Sequence, residues 1–159
     1  FITETWPYED EIKYYDIEQY KPYFNCREKR GDGSALYVRN DTEHEPLLLT
    51  VPDNTNLVGI RLEKFKFNVY CIYRAPKNDF NTFCKYLKNL LEKKTTINYY
   101  RRLNLNILEN NNEVTKYSDT INLANFVIQN PKTKSKVTRR NKHRGTIIDH
   151  VITPKKIYV

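Results

Sequence analysis

The stretch from Phe65 to Leu91, FKFNVYCIYRAPKNDFNTFCKYLKNLL, decides the predicted fold. From Phe65 to Tyr73 apolar and polar residues alternate, and the alternation fades toward Tyr73, which is typical of a strand that becomes buried on both faces. Arg74 to Asn78 is a loop. A helix from about Asp79 to Leu91 is predicted next because apolar residues recur at helical spacing. These residues are Phe80, Phe83, Cys84, Leu87, Leu90 and Leu91. A buried strand followed by an amphipathic helix indicates an α/β layered protein.

Outward from this unit, short apolar runs between turn residues predict further strands. They cover residues 34–39, 47–51, 56–62, 96–100, 126–128 and 146–152. A weaker helix is predicted over residues 113–125. The segment from Pro7 to Asn25 is polar and rich in tyrosine, and residues 129–145 are interpreted as a basic loop. These elements fit a single domain over residues 1–159.

The composition excludes several classes of protein. The chain has 159 residues, of which 39% are hydrophobic and 29% charged, and this suits one soluble domain with a core. No apolar run approaches the ~18 residues of a membrane span, and the first residues of the sequence show neither the n-region nor the h-region of a signal peptide. Three widely spaced cysteines, Cys26, Cys71 and Cys84, argue for buried free thiols and against a disulfide framework or a zinc site. We therefore expect an intracellular protein, nuclear or cytoplasmic, without a membrane partner.

Charge is divided unevenly along the chain. Residues 1–60 hold 12 acidic and 6 basic residues, a net of −6, whereas residues 61–159 hold 7 acidic and 21 basic residues, a net of +14. No acid occurs between Asp119 and Asp149. The basic residues in this gap are Lys132, Lys134, Lys136, Arg139, Arg140, Lys142 and Arg144. A polyanion is the natural partner of such a segment, although a solvated basic loop would have the same composition.

Four short segments, taken in order, resemble the endonuclease/exonuclease/phosphatase superfamily, and most closely the apurinic-endonuclease-like domain of non-LTR (LINE-type) retrotransposons. The segments are Thr3-Glu4-Thr5-Trp6, Arg30-Gly31-Asp32-Gly33 with Leu36-Tyr37-Val38-Arg39, Tyr73-Arg74-Ala75-Pro76, and Ile147-Ile148-Asp149-His150. The resemblance implies a two-sheet sandwich flanked by helices, with a site at one edge of the sheets. It also implies that the family's first and last strands are missing from residues 1–159.

The resemblance assigns roles to individual residues. Metal-dependent cleavage of a phosphodiester needs a cation at the phosphate, a base for the attacking water and polar groups that hold the phosphate. Glu4 matches the glutamate that binds Mg²⁺ in the family. Tyr73 matches the tyrosine that donates to the phosphate, and Asn104 matches the asparagine that fixes the phosphate geometry. Asp149 matches the aspartate that orients the catalytic histidine, whose own motif would follow residue 159.

The chain departs from the family pattern in the segment Tyr99-Tyr100-Arg101-Arg102-Leu103-Asn104. This segment takes the place of a Gly-Asp-Phe-Asn catalytic turn. Arg102 stands where the water-activating aspartate is expected, and an arginine cannot act as a base. Its positive charge also disfavours Mg²⁺ nearby. Arg101 replaces a glycine whose backbone freedom the turn would use.

Three functions remain open from the sequence. The first is a degenerate retrotransposon-type endonuclease domain, catalytically inactive, that binds nucleic acid, DNA rather than RNA, through its basic half. Arg101 and Arg102 would then contact phosphates directly. The second is an active Mg²⁺-dependent endonuclease that nicks DNA. The third is a structural or protein-binding module that uses neither metal nor DNA, with exposed sheet edges open to pairing with another protein chain.

Overall fold

The computed structural model describes residues 2–3, 5, 7–26, 33–92, 96–129, 139–141, 144–146 and 149–155; for residues 3, 96–102, 139–141, 144–146 and 149–150 it describes the backbone alone. The strands in chain order are β1 (Ile2–Thr3), β2 (Tyr20–Asn25), β3 (Ser34–Arg39), β4 (His44–Leu47), β5 (Thr55–Leu62), β6 (Phe67–Arg74), β7 (Thr96–Arg102), β8 (Phe126–Ile128), β9 (Arg139–Asn141), β10 (Arg144–Thr146) and β11 (Asp149–Pro154). The α-helices are α1 (Phe80–Glu92) and α2 (Asn112–Leu123), and short 3-10 helices cover Glu9–Tyr14 and Glu63–Phe65.

The larger sheet has the strand order β4-β5-β6-β7-β11-β8. β5 and β6 are antiparallel neighbours, whereas β6 and β7 are parallel. Parallel neighbours need a crossover connection, and α1 supplies it between β6 and β7. A smaller antiparallel sheet has the order β1-β3-β2, and β9 pairs with β10 in a two-stranded sheet. The chain is therefore a mixed α/β protein with two main sheets.

Both faces of β5 and β6 are buried, and this places the larger sheet in the middle of three layers. On one face, Leu57, Tyr70 and Ile72 pack with residues of α1 and α2 in the main hydrophobic cluster. From the alternate positions, Val58, Ile60 and Val69 pack against Leu36 and Val38 of β3. The smaller sheet thus covers one face and the helices cover the other. This arrangement confirms the predicted α/β sandwich flanked by helices.

The predicted helix after β6 is present, and its apolar stripe is buried throughout. Its start is fixed by Asp79, whose carboxylate accepts hydrogen bonds from the backbone N–H groups of Thr82 at 2.9 Å and Asn81 at 3.3 Å. Hydrogen bonds from Thr82 hold the pKa of Asp79 below its usual range. Asn78 has a different task. Its Nδ2 donates to the backbone carbonyl of Asp53 and to the Oγ1 of Thr55, both at 2.7 Å, and so ties the start of α1 to that of β5.

Two predicted assignments are wrong, and one further segment contains elements that were not predicted. The strand predicted over residues 47–51 lies earlier, at His44–Leu47, where it can pair with β5. The segment from Pro7 to Asn25 contains a 3-10 helix and β2; Pro22 is tolerated there because β2 is an edge strand. Within the basic segment, β9 and β10 pair as an antiparallel ladder, so this segment is not all loop.

Other elements differ from prediction only in their bounds. β6 begins at Phe67 because Glu63–Phe65 forms a 3-10 turn and Lys66 takes a left-handed φ of 51°. β7 continues to Arg102 instead of ending at Tyr100, and α2 ends at Leu123. Residues 147 and 148 of the strand predicted over 146–152 lie outside the described residues. Neither α1 nor α2 has the length and apolarity required to cross a lipid bilayer.

Candidate functional site

One row of paired residues crosses four neighbouring strands of the larger sheet. Asn56 of β5 pairs with Tyr73 of β6, Tyr73 pairs with Arg102 of β7, and Arg102 pairs with Asp149 of β11. Residues paired in one row of a sheet lie on the same face. The backbone therefore brings three of the residues assigned by resemblance, Tyr73, Arg102 and Asp149, to one end of the sheet.

The interior between the two sheets changes from apolar to polar toward this row. Along β3, the residues that face the larger sheet are Ser34, Leu36 and Val38. Along β5, the sequence Asn56, Val58, Ile60 shows the same change. Ser34 is 0% exposed and Asn56 is 2% exposed, so both polar side chains are as buried as the apolar ones. We call the end that carries Ser34, Asn25, Asn56 and Tyr73 the polar end of the sandwich.

Two asparagine amides connect the sheets at the polar end. Nδ2 of Asn56 donates to Oδ1 of Asn25 at 2.9 Å, and Nδ2 of Asn25 donates to the backbone carbonyl of Leu57 at 3.2 Å. At this end, three buried oxygens have no hydrogen-bond partner among the described residues: Oδ1 of Asn56, Oγ of Ser34 and Oγ1 of Thr5. An unsatisfied buried polar atom costs about 1–3 kcal/mol. This end of the interior is therefore organised less for stability than the apolar end.

Gly33 lies at the polar end of the sandwich, directly before β3. Gly33 has a φ of 119°, a conformation that other residues rarely adopt. A Cβ atom at this position would lie 2.5 Å from Oγ1 of Thr5. Glycine is required here both for its backbone conformation and for the close approach of Thr5, the residue that follows Glu4 in the sequence.

The turn after β7 is held to the end of β6 by reciprocal hydrogen bonds. Asn104 has a left-handed φ of 50°, which asparagine tolerates, and its Nδ2 donates to the backbone carbonyl of Arg74 at 2.9 Å. In return, Nε of Arg74 donates to the backbone carbonyl of Leu103 at 3.0 Å. Tyr73, the neighbour of Arg74, is thereby fixed beside the turn that carries Asn104.

Arg74 is a buried cation that anchors this turn from the helical side of the sheet. It is 3% exposed, and its Nη1 donates to the backbone carbonyl of Asn78 at 3.3 Å. The guanidinium carbon lies 5.2 Å from the ring centroid of Phe80 and 5.9 Å from that of Phe83, which are cation–π distances. Burial lowers the pKa of Arg74, although arginine remains charged at working pH.

The two arginines of the catalytic-turn segment lie in a strand, and the turn begins one residue later. Arg101 and Arg102 pair with β6 on one side and with β11 on the other. Arg101 is thus a paired strand residue that needs no special backbone freedom, and its match to the glycine of the family remains a prediction. Asn104 has the turn conformation instead.

The remaining predicted site residues are described in part or not at all. Glu4, Lys132, Lys134, Lys136 and Lys142 lie outside the described residues. Arg139 and Arg140 belong to β9 and Arg144 begins β10, where Arg140 pairs with Gly145 and Arg144 with Asn141. The structure places these three arginines on a two-stranded sheet, and it describes their backbone alone.

Sequence reasoning missed the polar residues that support the site. Asn56, Asn25 and Ser34 each look like an ordinary polar residue of a strand. One signal was available for two of them: Ser34 and Asn56 break the buried face of a strand at its first inward position, and both breaks fall at the same end. Arg74 was interpreted as a loop residue, and no local pattern distinguishes it from an exposed arginine.

Glu4, the residue that the resemblance assigns to Mg²⁺, lies outside the described residues. The resemblance implies Mg²⁺ bound by acidic residues, but the described residues contain no group of three or more His, Cys, Asp or Glu side chains that could hold a metal ion. The row also sets Arg102, a cation, between Tyr73 and Asp149. An arginine at this position is unlike the acidic residues that bind Mg²⁺.

This architecture, a helix-covered larger sheet packed on a smaller one, is the fold of the endonuclease/exonuclease/phosphatase proteins. The chain is similar to the endonuclease domain of TRAS1, a telomere-specific non-LTR retrotransposon, with a TM-score of 0.68 and 13% sequence identity over 87% of this chain and 68% of that one. It is also similar to D. rerio TDP2 complexed with a single-strand DNA product, with a TM-score of 0.61 and 15% identity over 96% and 70% of the two chains.

A third solved structure has the same fold. This is the human Nocturnin catalytic domain with a bound sulfate anion, with a TM-score of 0.57 and 15% identity over 96% of this chain and 67% of that one. Sequence comparison alone finds no matching family model and no matching curated protein. At these levels of identity the comparisons establish the fold alone.

Proposed function

We propose that this chain is a degenerate retrotransposon-type endonuclease domain that binds nucleic acid, DNA rather than RNA, without cleaving it. The observation that carries the proposal is the row Tyr73, Arg102, Asp149 at the polar end. A nuclease of this fold needs a base for the attacking water at the position that Arg102 occupies in the row, and arginine cannot accept a proton there. Arginine does bind phosphate, because its planar guanidinium offers several N–H donors to phosphate oxygens.

Charge supports binding to a polyanion. Residues 61–159 carry a net charge of +14, to which Arg101 and Arg102, on alternate faces of β7, contribute. Of the similar proteins, TDP2 was solved with a single-strand DNA product and Nocturnin with a sulfate anion. Contacts to phosphates orient a nucleic acid without reading its sequence. We therefore expect affinity with little sequence preference and a steep dependence on salt.

The test is a salt titration of binding to a fluorescent single-stranded oligonucleotide, a DNA duplex and an RNA of the same length. The unaltered chain is compared with Arg101→Gln/Arg102→Gln and with Arg39→Gln/Lys64→Gln. The second pair removes the same charge from the opposite end of the sheets, because Arg39 ends β3 and Lys64 lies in the turn between β5 and β6.

The expected result is binding to DNA that weakens with salt. For each single-strand phosphate that the Arg101/Arg102 variant no longer neutralises, the slope of log affinity against log salt should fall by about 0.7. The control variant should keep the slope of the unaltered chain. Equal reductions in both variants would mean that only net charge matters and that the row is not the binding site. Absence of binding at low salt would contradict the proposal and favour a module that uses neither metal nor nucleic acid.

A further inference from the structure

The segment from Tyr8 to Tyr20 differs from the rest of the surface in both charge and apolar exposure. Within these 13 residues there are five acids and one lysine, a net charge of −4 in a chain whose total is +8. The described residues have nine exposed large hydrophobic side chains, and five of them lie in this segment. They are Tyr8, Tyr14, Tyr15, Ile17 and Tyr20, with exposed fractions of 37%, 76%, 45%, 45% and 39%. We call this surface the acidic tyrosine face.

The acidic tyrosine face lies on the outside of the smaller sheet, away from the proposed nucleic-acid site. The inward residues of β3 are Leu36 and Val38, so Tyr37 lies on the outward face of that strand. The hydroxyl of Tyr37 donates to the backbone carbonyl of Tyr15 at 2.8 Å. The segment is therefore laid over the outer face of the smaller sheet, and its negative charge would repel a nucleic acid.

The backbone of this segment is fixed. The backbone N–H of Tyr8 donates to the carboxylate of Glu11 at 3.0 Å, and this bond belongs to the capping box of the 3-10 helix. At the far end, the backbone N–H of Asn40 donates to the carbonyl of Gln19 at 2.9 Å, and that of Tyr20 donates to the carbonyl of Ile17 at 3.0 Å. The tyrosine rings are thus presented on a pre-organised backbone, which lowers the entropy lost on binding.

A contact between Lys13 and Tyr14 is an example of the cation–π interactions that exposed tyrosine rings can make. The ammonium group of Lys13 lies 5.0 Å from the ring centroid of Tyr14, a cation–π distance, while that ring is still 76% exposed. Exposed tyrosine faces interspersed with carboxylates are suited to lysine and arginine side chains, because the ring attracts the cation and the carboxylate neutralises it. We propose that the acidic tyrosine face is a docking surface for a lysine- and arginine-rich segment of a partner protein.

A basic partner is favoured over other occupants by charge complementarity. Because the chain as a whole carries +8, its average field repels a polycation, and binding has to come from a local surface of the opposite sign. Tyrosine is enriched among interface residues, and the exposed rings distinguish this face from a merely solvated acidic segment. A second copy of this chain, presenting its own basic half, is the competing occupant that the experiment has to separate.

The test uses a fluorescent twelve-residue peptide of lysine, arginine and glycine in equal shares, with a peptide in which glutamine replaces the cations as control. Binding is measured by anisotropy for the unaltered chain and two variants. Tyr14→Ser/Tyr15→Ser removes rings and keeps the charge. The second variant neutralises four exposed acids of the face, leaving the capping carboxylate of Glu11 in place, through Glu9→Gln, Asp10→Asn, Asp16→Asn and Glu18→Gln.

Matched controls place the same changes elsewhere on the surface. Leu48→Ser/Leu123→Ser removes two exposed apolar side chains, and a charge control neutralises four exposed acids through Glu43→Gln, Glu45→Gln, Glu92→Gln and Asp119→Asn. Circular dichroism verifies that every variant is folded. Sedimentation velocity without peptide, at low and high salt, reports whether the chain binds to itself.

The expected result is binding of the cationic peptide alone, weakened about tenfold by the loss of the two rings and about tenfold by neutralising the four acids, with both controls unchanged. Loss of affinity in the charge control to the same degree would overturn the proposal, because net charge would then explain binding. An unchanged affinity in the ring variant would also overturn it. Self-association that the ring variant abolishes would assign the face to a second copy of this chain instead of a separate partner.

Discussion

The two ends of the interior between the sheets are built from the same strands and differ in what those strands place there. At one end Leu36, Val38 and Ile60 form an apolar contact. At the other end Ser34 and Asn56, on the same faces of the same strands, leave buried oxygens without a partner among the described residues. The difference teaches that the fold draws its stability from one end and keeps polar groups at the other, as is usual for functional sites.

The largest effect is expected from alanine at two neighbouring inward positions of β3. Leu36→Ala should lower the free energy of unfolding by about 2–5 kcal/mol, because it removes a side chain that is 2% exposed and leaves a cavity. Ser34→Ala should change it by less than about 1 kcal/mol, because the hydroxyl it removes has no partner among the described residues and the methylene remains. Urea unfolding measures both. Equal reductions would mean that the polar end is packed as tightly as the apolar end.

The next effect concerns Arg74, the anchor of the turn at the polar end. Arg74→Met should lower the free energy of unfolding by about 2–3 kcal/mol, because it leaves the backbone carbonyls of Leu103 and Asn78 without their donor. Arg39→Met is the matched control, since Arg39 is an exposed partner of Asp41, and it should cost less than about 1 kcal/mol. Urea unfolding compares the two. A similar small cost for both variants would show that Arg74 does not hold the turn.

Cys71 lies between the polar and the apolar ends, at an inward position of β6 between Val69 and Tyr73. The pH dependence of the free energy of unfolding tests this middle part of the interior. Burial raises the pKa of its thiol to about 12, so the folded chain holds this proton more tightly than the unfolded chain. The resulting stability is complete below the ordinary thiol pKa near 9 and is lost as pH rises through the folded value. At pH ~10.5 the loss relative to pH ~8 should be about 1–2 kcal/mol. Urea unfolding of the unaltered chain and of Cys71→Ala, at both pH values, isolates the contribution of the Cys71 thiol to the loss of stability. The same pH dependence in both proteins would mean that water reaches the middle of the interior.

Much of the fold could be predicted from the sequence because the strong local patterns of apolar residues correspond to the strands and helices that form. The strand and helix between Phe67 and Glu92 combine a period of two with a period of 3.6, and the apolar stripe of the helix is buried as its spacing predicts. The strand predicted at residues 47–51 failed because an apolar run says nothing about which neighbouring strand is free to pair. β2 was missed because Pro22 and the polar residues before it conceal an edge strand.

Individual residues of the site could be named from short sequence segments, but their arrangement in space could not be predicted. The resemblance named Tyr73, Arg102 and Asp149 from three separate segments, and their alignment in one row depends on strand order and register. The roles assigned to them, and to Glu4 and Asn104, remain proposals. Asn25 and Arg74 were out of reach, because their importance comes from partners that are distant in sequence: Asn25 and Asn56 are 31 residues apart, and Arg74 and Leu103 are 29 apart.

The most direct test of the central claim is nicking of supercoiled plasmid in the presence of Mg²⁺ by the unaltered chain, Arg102→Asp, and Arg102→Asp combined with Glu4→Ala. The account predicts no nicking by the unaltered chain, because Arg102 cannot activate water. Nicking that appears in Arg102→Asp and disappears when Glu4→Ala is added would identify the row as a nuclease site that one substitution has silenced. Nicking by the unaltered chain that Glu4→Ala abolishes would contradict the account and make this chain an active endonuclease.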